Sequence, residues 1–492
     1  MSFRDQRCNK EAIIAPVDLR AMQGGAGVAG IRAAQALSGN GVDDFVIIEF
    51  QDRIGGRMHD SSLVQGTQTG DGPENPINAL ANKYDITTLV TDQHSLITFD
   101  DQGPVGFKYA IDEFNEALDR VLPDAGALLQ NNLQDRTFRA AFRYADWNPA
   151  KNYSYRQTAE WWLFDGEFDY SPGESSEIYT SVAENATFKY YSEDNLFVYD
   201  QRGFATIIRE EAQSFLGKDD DHDHLRLNTQ FTRIEYTVDS VTVHTNDGSC
   251  VEADYAISTL SLGVLQHKVV EFEPPLSDWK VAAISSFELD TYTKTFMQFN
   301  EPFWDEVQYL IYADPETRGW YPEFQPLDLP GVLEGSGLMV ATVVNDQSCR
   351  VEAQANEETQ AEVMEVLRSM YGEDIPDPTH LWYKHWTQTE WTYGSYSNWP
   401  PAISLQSHQS LRANLGNLFF AGEATSKEFF GYLQGAYLEE QYTGEFIASC
   451  LHGSDNCTLS DDQVNYPVLT GVTPYNLYNW DNGWVADVFA KA

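Results

Sequence analysis

The first residues of this chain whose types and spacing indicate a functional site are glycines at the start of a predicted helix. Residues 25–30 read GAGVAG, so that Gly25, Gly27 and Gly30 match the pattern GxGxxG. Glycines at such a turn let the backbone approach a pyrophosphate, which the helix N-terminus then stabilises. Glu49 follows Gly27 by 49 − 27 = 22 residues, where a carboxylate can accept a hydrogen bond from a ribose hydroxyl. These residues predict a dinucleotide site, although small residues are also common where a turn enters a helix.

A second glycine-rich turn follows Glu49 in the sequence. Residues 53–57 read RIGGR. Two glycines between arginines suit a loop that passes close to an anion, with Arg57 adding positive charge beside Gly56. Taken in isolation, the same residues could form a solvated basic turn. After a dinucleotide pattern, they favour a flavoprotein over an enzyme that uses NAD.

Two charged residues lie among aromatic ones and could act on a substrate. Residues 291–296 read TYTKTF, and the strand period of two places Tyr292, Lys294 and Phe296 on one face. Such a lysine either reaches water from a strand edge or lies inside a cleft. Glu167 follows two tryptophans in WWLFDGEF at residues 161–168. It is either a surface residue or part of a site whose carboxylate and ring faces hold ammonium groups.

The predicted secondary structure must position these residues. Helical periods dominate residues 105–195, and strands return over 196–275, with a hairpin at the NDG turn of residues 246–248. The other elements that we predict are a helix over 28–37, a buried strand over 45–49, a strand over 291–299, a helix over 356–371, a strand over 417–423 and a helix over 432–451. Because nucleotide-type and other segments alternate, we expect two domains, each built from discontinuous pieces.

The composition limits the partners of the chain. Among 492 residues, 31 Lys and Arg face 75 Asp and Glu, which gives a formal net charge of −44. Such a protein repels nucleic acid and anionic membranes but attracts a small cationic substrate. Strong acidity could equally serve solubility alone. The five cysteines show no CxxC spacing, so no metal site is expected.

The order of GxGxxG, an acidic residue and RxGGR resembles the flavin amine oxidase family. Further stretches between about residue 25 and residue 451 are similar to fungal and plant polyamine oxidases: DQRGF at 200–204, SLGVL at 261–265, YTK at 292–294, YSNWP at 396–400 and FAGEATS at 420–426. The resemblance implies an α/β fold with a Rossmann-like FAD-binding domain and a discontinuous, mixed α+β substrate domain. We expect the FAD-binding domain over residues 20–90, 196–275 and 385–452, the substrate domain over 91–195 and 276–384, and a C-terminal tail over 453–492.

The resemblance also implies a reaction and roles for single residues. It implies FAD-dependent oxidation of polyamines of the spermine and spermidine class by hydride transfer to flavin, with oxygen reduced to hydrogen peroxide. Lys294 would hold a water beside flavin N5, Glu167 would line the substrate tunnel, and Tyr432 would form a wall of the substrate site. Gly422 and Glu423 suit contacts to the phosphate or ribitol part of the cofactor, and we expect Phe231 on the adenine side.

Two departures from the family pattern lie near the N-terminus. Residues 15–23 read APVDLRAMQ, and Asp18, Arg20 and Gln23 are poor residues for a central parallel strand, where unpaired charge costs several kcal/mol. In addition, the family segment of type E-x-G-A-x-W is missing after Arg57, since residues 57–63 lead directly into VQG at 64–66. These departures favour, as the alternative, a non-catalytic or truncated homologue with impaired FAD binding.

The compartment stays open at this stage. Residues 1–20 contain no apolar segment typical of a signal peptide, whereas the family resemblance would allow an extracellular enzyme. A third alternative, an NAD-dependent dehydrogenase, shares only GxGxxG and Glu49. The RxGGR turn and the pair Gly422 and Glu423 argue against it.

Overall fold

The computed structural model of the protein describes residues 5–7, 19–58, 67–68, 72–191, 194–217, 224–426 and 429–454. Within these residues, the larger sheet has nine strands. Seven of them lie side by side in the order Glu271–Glu273, Phe231–Tyr236, Val241–Thr245, Ser249–Ser258, Leu19–Gly24, Phe45–Ile48 and Leu225–Arg226. The strands Asp5–Arg7 and Leu418–Phe420 also pair with Ser249–Ser258.

The polar residues before the glycine-rich turn predict that a central strand is unfavourable there. The structure nevertheless contains this strand. Leu19–Gly24 pairs in parallel with Phe45–Ile48 on one side and with Ser249–Ser258 on the other. Arg20 is exposed at the start of the strand and therefore needs no buried partner. Gln23 is buried, and its side-chain amide has no hydrogen-bond partner among the described residues. The strand thus tolerates an amide at a cost of about 1–3 kcal/mol; Asp18 lies outside the described residues.

Two helices pack together over this strand. Val28–Gly39 follows the turn, and Leu433–Leu451 lies beside it. Small residues permit the contact, since a Cβ atom at Gly444 would lie 2.6 Å from the carbonyl oxygen of Ala33. The Arg32 guanidinium adds a cation–π contact 4.3 Å above the Tyr437 ring. This layer fixes where the N-terminus of Val28–Gly39 points.

The second large sheet has seven strands among the described residues. Their order is His380–Trp382, Tyr292–Gln298, Leu338–Val344, Glu323–Pro326, Tyr309–Tyr312, Leu96–Asp100 and Gly103–Pro104. One face packs on the helix Asn356–Tyr371 through an apolar core that includes Met297, Val363 and Leu367. The other face carries Tyr292, Lys294 and Phe296.

Smaller elements complete the described structure. A three-stranded sheet joins Thr67–Gln68, Asn195–Val198 and Thr88–Val90, and a two-stranded one joins Glu288–Leu289 and Ser397–Asn398. The remaining helical segments are Pro76–Lys83, Lys108–Gln130, Phe138–Tyr144, Ser154–Glu160, Trp161–Asp165, Gly166–Phe168, Glu177–Glu184, Asn185–Lys189, Thr206–Leu216, Leu262–Gln266, Asp278–Ile284, Asn345–Ala353, Leu405–Arg412 and Glu423–Thr425. A search of the described residues for a helix of the length and apolar character needed to cross a membrane finds none.

Most predicted elements agree with the structure to within a few residues. The predicted helix over 356–371 is Asn356–Tyr371, and the predicted hairpin joins Val241–Thr245 to Ser249–Ser258. The division into two discontinuous domains stays a prediction. The junction where the E-x-G-A-x-W segment is missing falls mostly on residues 59–66, which lie outside the described residues.

We predict that Gly30→Ala destabilises the protein whereas Gly39→Ala, on the same helix, does not. A Cβ atom at Gly30 would lie 1.7 Å from the carbonyl oxygen of Gly25, whereas none of the described atoms lies within 4 Å of one at Gly39. Overpacking of this kind costs about 1–3 kcal/mol, whereas Ala in an exposed helical position is neutral or favourable by up to about 1 kcal/mol. Urea unfolding followed by tryptophan fluorescence should show a lower midpoint for Gly30→Ala only. Equal midpoints would contradict the close packing of this helix.

Candidate active site

The predicted site residues converge on one cavity of about 460 Å³ between the two large sheets. Every candidate except Gly30 lines it: Gly25, Gly27, Glu49, Gly56, Arg57, Glu167, Phe231, Lys294, Gly422, Glu423 and Tyr432. The parallel strands Leu19–Gly24 and Phe45–Ile48 end at one side of the cavity. Ligands of open α/β sheets bind at this position, beyond the carboxyl ends of the strands.

The two glycine-rich turns contact each other at the N-terminus of the helix Val28–Gly39. Gly25 has a φ of +124°, which allows the chain to turn sharply after the strand. A Cβ atom at Gly56 would lie 3.1 Å from Gly27 Cα, so the two backbones meet directly. Gly27 caps the helix without a side-chain hydrogen bond, and the first turn carries no acidic residue. The free N–H groups and the helix dipole therefore favour an anion in the adjoining cavity.

Gly30 is not among the residues that line the cavity, and its contact with a cofactor stays a prediction. It packs against the carbonyl oxygen of Gly25 and the side chain of Gln23. The third glycine of the pattern therefore serves helix–strand packing, which determines where the first two glycines lie.

Glu49 is held at the end of its strand by backbone donors. Its Oε2 atom accepts a hydrogen bond of 2.6 Å from Ala26 N–H, and Oε1 accepts one of 2.9 Å from Gln51 N–H. Burial raises the pKa of Glu49, and these hydrogen bonds oppose that rise. The carboxylate is thus fixed beside the glycine-rich turn, where it can also accept from a ligand hydroxyl.

Phe231 lies at the same end of the cavity. A Cβ atom at Gly24 would lie 2.6 Å from Phe231 Cε2, so the ring packs directly over the end of the first strand. The backbone N–H of Thr229 donates to the carbonyl oxygen of Glu49 at 2.9 Å, which joins the segment before Phe231 to the acidic residue. The ring thus offers an apolar surface next to Glu49.

Arg57 and Glu423 form an ion pair in the middle of the site. Arg57 Nη1 donates to Glu423 Oε1 at 2.9 Å and to the Ser395 carbonyl oxygen at 2.7 Å. The other carboxylate oxygen of Glu423 accepts from Ser397 Oγ at 2.6 Å and from Gly431 N–H at 2.9 Å. Next to this pair, Gly422 has a φ of +147°, and a Cβ atom there would have open space around it. The Gly422 backbone therefore faces the cavity without a side chain in between.

Lys294 lies at the opposite end of the cavity. As the strand period predicts, Tyr292, Lys294 and Phe296 all line it. Lys294 Nζ lies 5.6 Å from the centre of the Tyr292 ring. Burial lowers the pKa of Lys294, and the carboxylate of Glu323 opposes this effect. The structure therefore places this lysine inside a cleft, which decides between the two alternatives that the sequence leaves open.

Glu167 lies near Lys294 among tyrosines. Its Oε1 atom accepts a hydrogen bond of 2.7 Å from the Tyr432 hydroxyl, and its backbone oxygen accepts one of 3.0 Å from the Tyr396 hydroxyl. Burial raises the pKa of Glu167, and the Tyr432 hydroxyl opposes the rise. Among the described residues, the half-buried carboxylate of Glu167 accepts one hydrogen bond, at Oε1, so it can accept further donors from a cationic ligand.

Sequence reasoning missed several aromatic residues of the cavity as site residues. Tyr396 stands in the YSNWP motif, which could have indicated it. Trp386 and Trp391 lie in an irregular segment, where no period shows which side chains turn inward. Lys384 Nζ lies 5.9 Å and 5.5 Å from the centres of these two indole rings. A lysine followed by two tryptophans was the available signal.

Chemically, the cavity has two different ends. The glycine-rich turns, the uncapped helix and Glu49 suit the pyrophosphate and ribose of a dinucleotide. Lys294, Glu167 and the tyrosines suit a cation that is partly removed from water, because carboxylates and ring faces both attract it. A group that spans both ends would bring its reactive part close to Lys294.

Comparison with known proteins agrees with this geometry. A family model described as "Flavin containing amine oxidoreductase" matches residues 28–439. Polyamine oxidase 1 of Zea mays is 31% identical over 473 residues, with 89% of this chain and 92% of that protein covered. Polyamine oxidase 7 of Oryza sativa subsp. japonica is 33% identical over 443 residues, with 85% and 92% covered.

Solved structures bear out the fold. A putrescine oxidase superposes with a TM-score of 0.68 at 17% identity, with 88% of this chain and 99% of that chain covered. The cyclohexylamine oxidase of Brevibacterium oxydans superposes with a TM-score of 0.67 at 19% identity, with 89% and 100% covered. The α/β fold that the sequence predicts is therefore confirmed. Because the family match spans most of the residues and includes Glu49, Lys294 and Glu423 of the cavity, this chain belongs to the flavin containing amine oxidoreductases and is an amine oxidase whose cofactor is FAD.

Proposed function

We propose that this protein oxidises polyamines of the spermine and spermidine class with oxygen as the second substrate, forming hydrogen peroxide. The observation that carries the proposal is the position of Glu167, half-buried and hydrogen-bonded to Tyr432 and Tyr396 in the cavity that Lys294 also lines. A polyamine offers several ammonium groups to one such carboxylate. The names of the plant relatives, which are polyamine oxidases, support this substrate class.

The residues present fit FAD along the cavity. The uncapped helix N-terminus would receive the pyrophosphate, and Glu49 would accept from a ribose hydroxyl. Phe231 would pack on the adenine side, whereas Arg57, Gly422 and Glu423 would lie along the phosphate and ribitol part. When bound, FAD supplies the acceptor for a hydride from the carbon next to the amine nitrogen and passes the electrons to oxygen.

The residues of the chain provide orientation and proton transfer. The reacting nitrogen must be neutral, so a proton has to leave it before the C–H bond breaks. Since burial lowers the pKa of Lys294, its amine exchanges protons nearer neutral pH than an exposed lysine does. Lys294 would hold a water at the reacting carbon, and that water then hydrolyses the imine. The tyrosines exclude other water from this end of the cavity.

The alternative of a non-catalytic homologue is not favoured. That alternative depends on two differences from the family pattern, the polar residues of the first strand and the missing E-x-G-A-x-W segment. The first difference no longer supports it, because Leu19–Gly24 forms a central strand. The parts of the site that bind a dinucleotide and an amine lie together around one cavity.

Anaerobic mixing with spermine tests the proposal. Protein loaded with FAD should lose the visible absorption of oxidised flavin on addition of spermine, and hydrogen peroxide should appear when air is admitted. Lys294→Met should slow the loss or the recovery of absorption strongly while FAD stays bound. Lys108→Met, which alters an exposed lysine, serves as control. Absorption that persists with spermine but falls with a monoamine would contradict the substrate class, and an unchanged rate in Lys294→Met would remove this lysine from the mechanism.

Glu49→Gln should weaken FAD binding about ten- to hundredfold. The amide replaces an acceptor oxygen by a donor, so the contact with Ala26 N–H or with a ribose hydroxyl is lost, and a hydrogen bond to a charged group contributes about 1.5–3 kcal/mol. Titration of the FAD-free protein, followed by quenching of flavin fluorescence, measures the Kd. Asp52→Asn changes an exposed carboxylate three residues further along and should leave the Kd unchanged. Equal effects of both changes would point to net charge instead of a specific contact.

Glu167→Gln should reduce kcat/KM for spermine about tenfold or more, since it removes a charged hydrogen bond, but should affect a monoamine of similar length much less. Because burial raises the pKa of Glu167, the carboxylate is lost at a higher pH than for an ordinary glutamate. Protonation of the reacting nitrogen already lowers kcat/KM for spermine as the pH drops. In the unaltered protein this decline should become steeper as the pH drops through the raised pKa of Glu167, and in Glu167→Gln the additional decline should be absent. Equal losses for both amines would contradict a contact between Glu167 and an ammonium group that spermine has and the monoamine lacks.

A further inference from the structure

A second buried carboxylate, Glu323, lies on the same row of side chains as Lys294. The antiparallel register pairs Lys294 with Thr342 on the next strand, and Thr342 with Glu323 on the strand after it. Directly paired residues of neighbouring strands point to the same face of a sheet. Glu323 therefore faces the same side of the sheet as Lys294, below the cavity wall.

Two neutral donors hold this carboxylate in place. Trp162 Nε1 donates to Glu323 Oε2 at 2.8 Å, and Thr342 Oγ1 donates to Glu323 Oε1 at 2.9 Å. Glu323 is buried, with 8% of its surface exposed. In the described part of the chain, it forms no ion pair within 4.0 Å. A buried charge held only by neutral groups needs compensation from a nearby opposite charge.

We propose that Glu323 is a positioning residue that supplies the counter-charge for Lys294 and so decides how readily this lysine holds a proton inside the cavity. The inference deepens the proposed function, on which the importance of Lys294 rests. Its basis is the row of three residues across the sheet and the fixed orientation of the carboxylate.

The strength of the interaction follows from the sheet geometry. Two strand spacings place the Cβ atoms of Lys294 and Glu323 roughly 9.5 Å apart. At that separation, where the effective dielectric constant inside a protein is about 20, two unit charges still interact appreciably. The direction agrees, since Glu323 opposes the lowering of the Lys294 pKa by burial. The other titratable groups that line the cavity with Lys294 are Tyr292 on its own strand and, from the remaining walls, Glu167, Tyr396, Tyr432, Lys384, Glu390, Glu49, Arg53, Arg57 and Glu423.

The arrangement gives the two carboxylates different tasks. Glu167 lines the cavity and is available to the substrate, whereas Glu323 does not line it. An uncompensated ammonium group on Lys294 would repel a cationic amine from the reacting end. With Glu323 below it, protonation of Lys294 leaves this end of the cavity neutral or negative, so that binding of a cation continues.

A purely structural role for Glu323 makes a different prediction, and Glu323→Gln separates the two. The amide oxygen can accept from Trp162, and the Thr342 hydroxyl can accept from the amide NH₂ group. Packing and hydrogen bonds are thus retained while the charge is lost. Glu323→Met, of similar length, is the second variant, since replacement of a buried charge by an apolar residue is often tolerated.

The experiment is competitive acetylation with trace acetic anhydride over a pH series, read out by peptide mass spectrometry on protein with and without FAD. We expect the midpoint of Lys294 labelling to fall by about one pH unit in both variants, whereas Lys384, on another wall of the cavity, serves as the internal control and keeps its midpoint. Protonation of Lys294 should also set one limb of the pH profile of kcat/KM for spermine. This limb should shift to lower pH in both variants. A Lys294 midpoint that stays unchanged in both variants overturns the proposal.

The labelling needs no turnover, so the two proposals can fail separately. A shifted midpoint in a protein that does not oxidise spermine would refute the proposed substrate class and leave the role of Glu323 intact. An unshifted Lys294 midpoint in a protein that oxidises spermine would refute the role of Glu323 and leave the proposed substrate class intact. Equal shifts of Lys294 and Lys384 would indicate a general change of the cavity and would also overturn the specific role of Glu323.

Discussion

The buried carboxylate of Glu423 is the constraint on which the rest of the site depends. One oxygen receives Arg57 from the second glycine-rich turn, and the other receives Ser397 and the backbone of Gly431. Removing one partner of a buried charge costs about 3–5 kcal/mol, because the charge is left without compensation. The turn after the Glu49 strand, the YSNWP segment and the start of the helix Leu433–Leu451 are therefore held as one unit. This unit fixes Tyr432 and, through its hydroxyl, the carboxylate of Glu167.

Local patterns predicted much of the fold, and most of the candidate residues that they indicated line one cavity. Period-two spacing was enough to place Tyr292, Lys294 and Phe296 on one face, and the acidic helical segment gave the bounds of Asn356–Tyr371. These predictions succeed because each depends on residues close together in the chain. Gly30 packs on Gly25, and the pattern GxGxxG does not distinguish a glycine that faces a ligand from one that faces the preceding strand.

Long-range relations were beyond the reach of the sequence. Arg57 and Glu423 are 366 residues apart, and no sequence pattern near either residue indicates that the two form an ion pair. The relation of Glu323 to Lys294 requires the register of three strands, which the sequence does not provide. The polar residues of the strand Leu19–Gly24 led to a wrong expectation, namely that this strand would be hard to form. Arg20 escapes to solvent and the unpartnered Gln23 amide costs about 1–3 kcal/mol, which the parallel pairing on both sides of the strand offsets.

The net charge and the buried charges act on an amine at different distances. The excess of carboxylates over the whole chain steers a cation during approach, but screening limits this attraction to about 8 Å at physiological ionic strength. Inside the cavity, charges lie closer together and are screened less, so we propose that the balance among Glu167, Glu323 and Lys294 matters more there. Acidity of the surface can therefore change without altering which amine reacts, whereas the loss of one buried carboxylate changes the charge at the reacting end. We therefore propose that the charge which a polyamine meets depends on Glu167 directly and on Glu323 through Lys294. The structure holds both carboxylates with neutral hydroxyl and indole donors, and such donors fix a carboxylate without cancelling its charge.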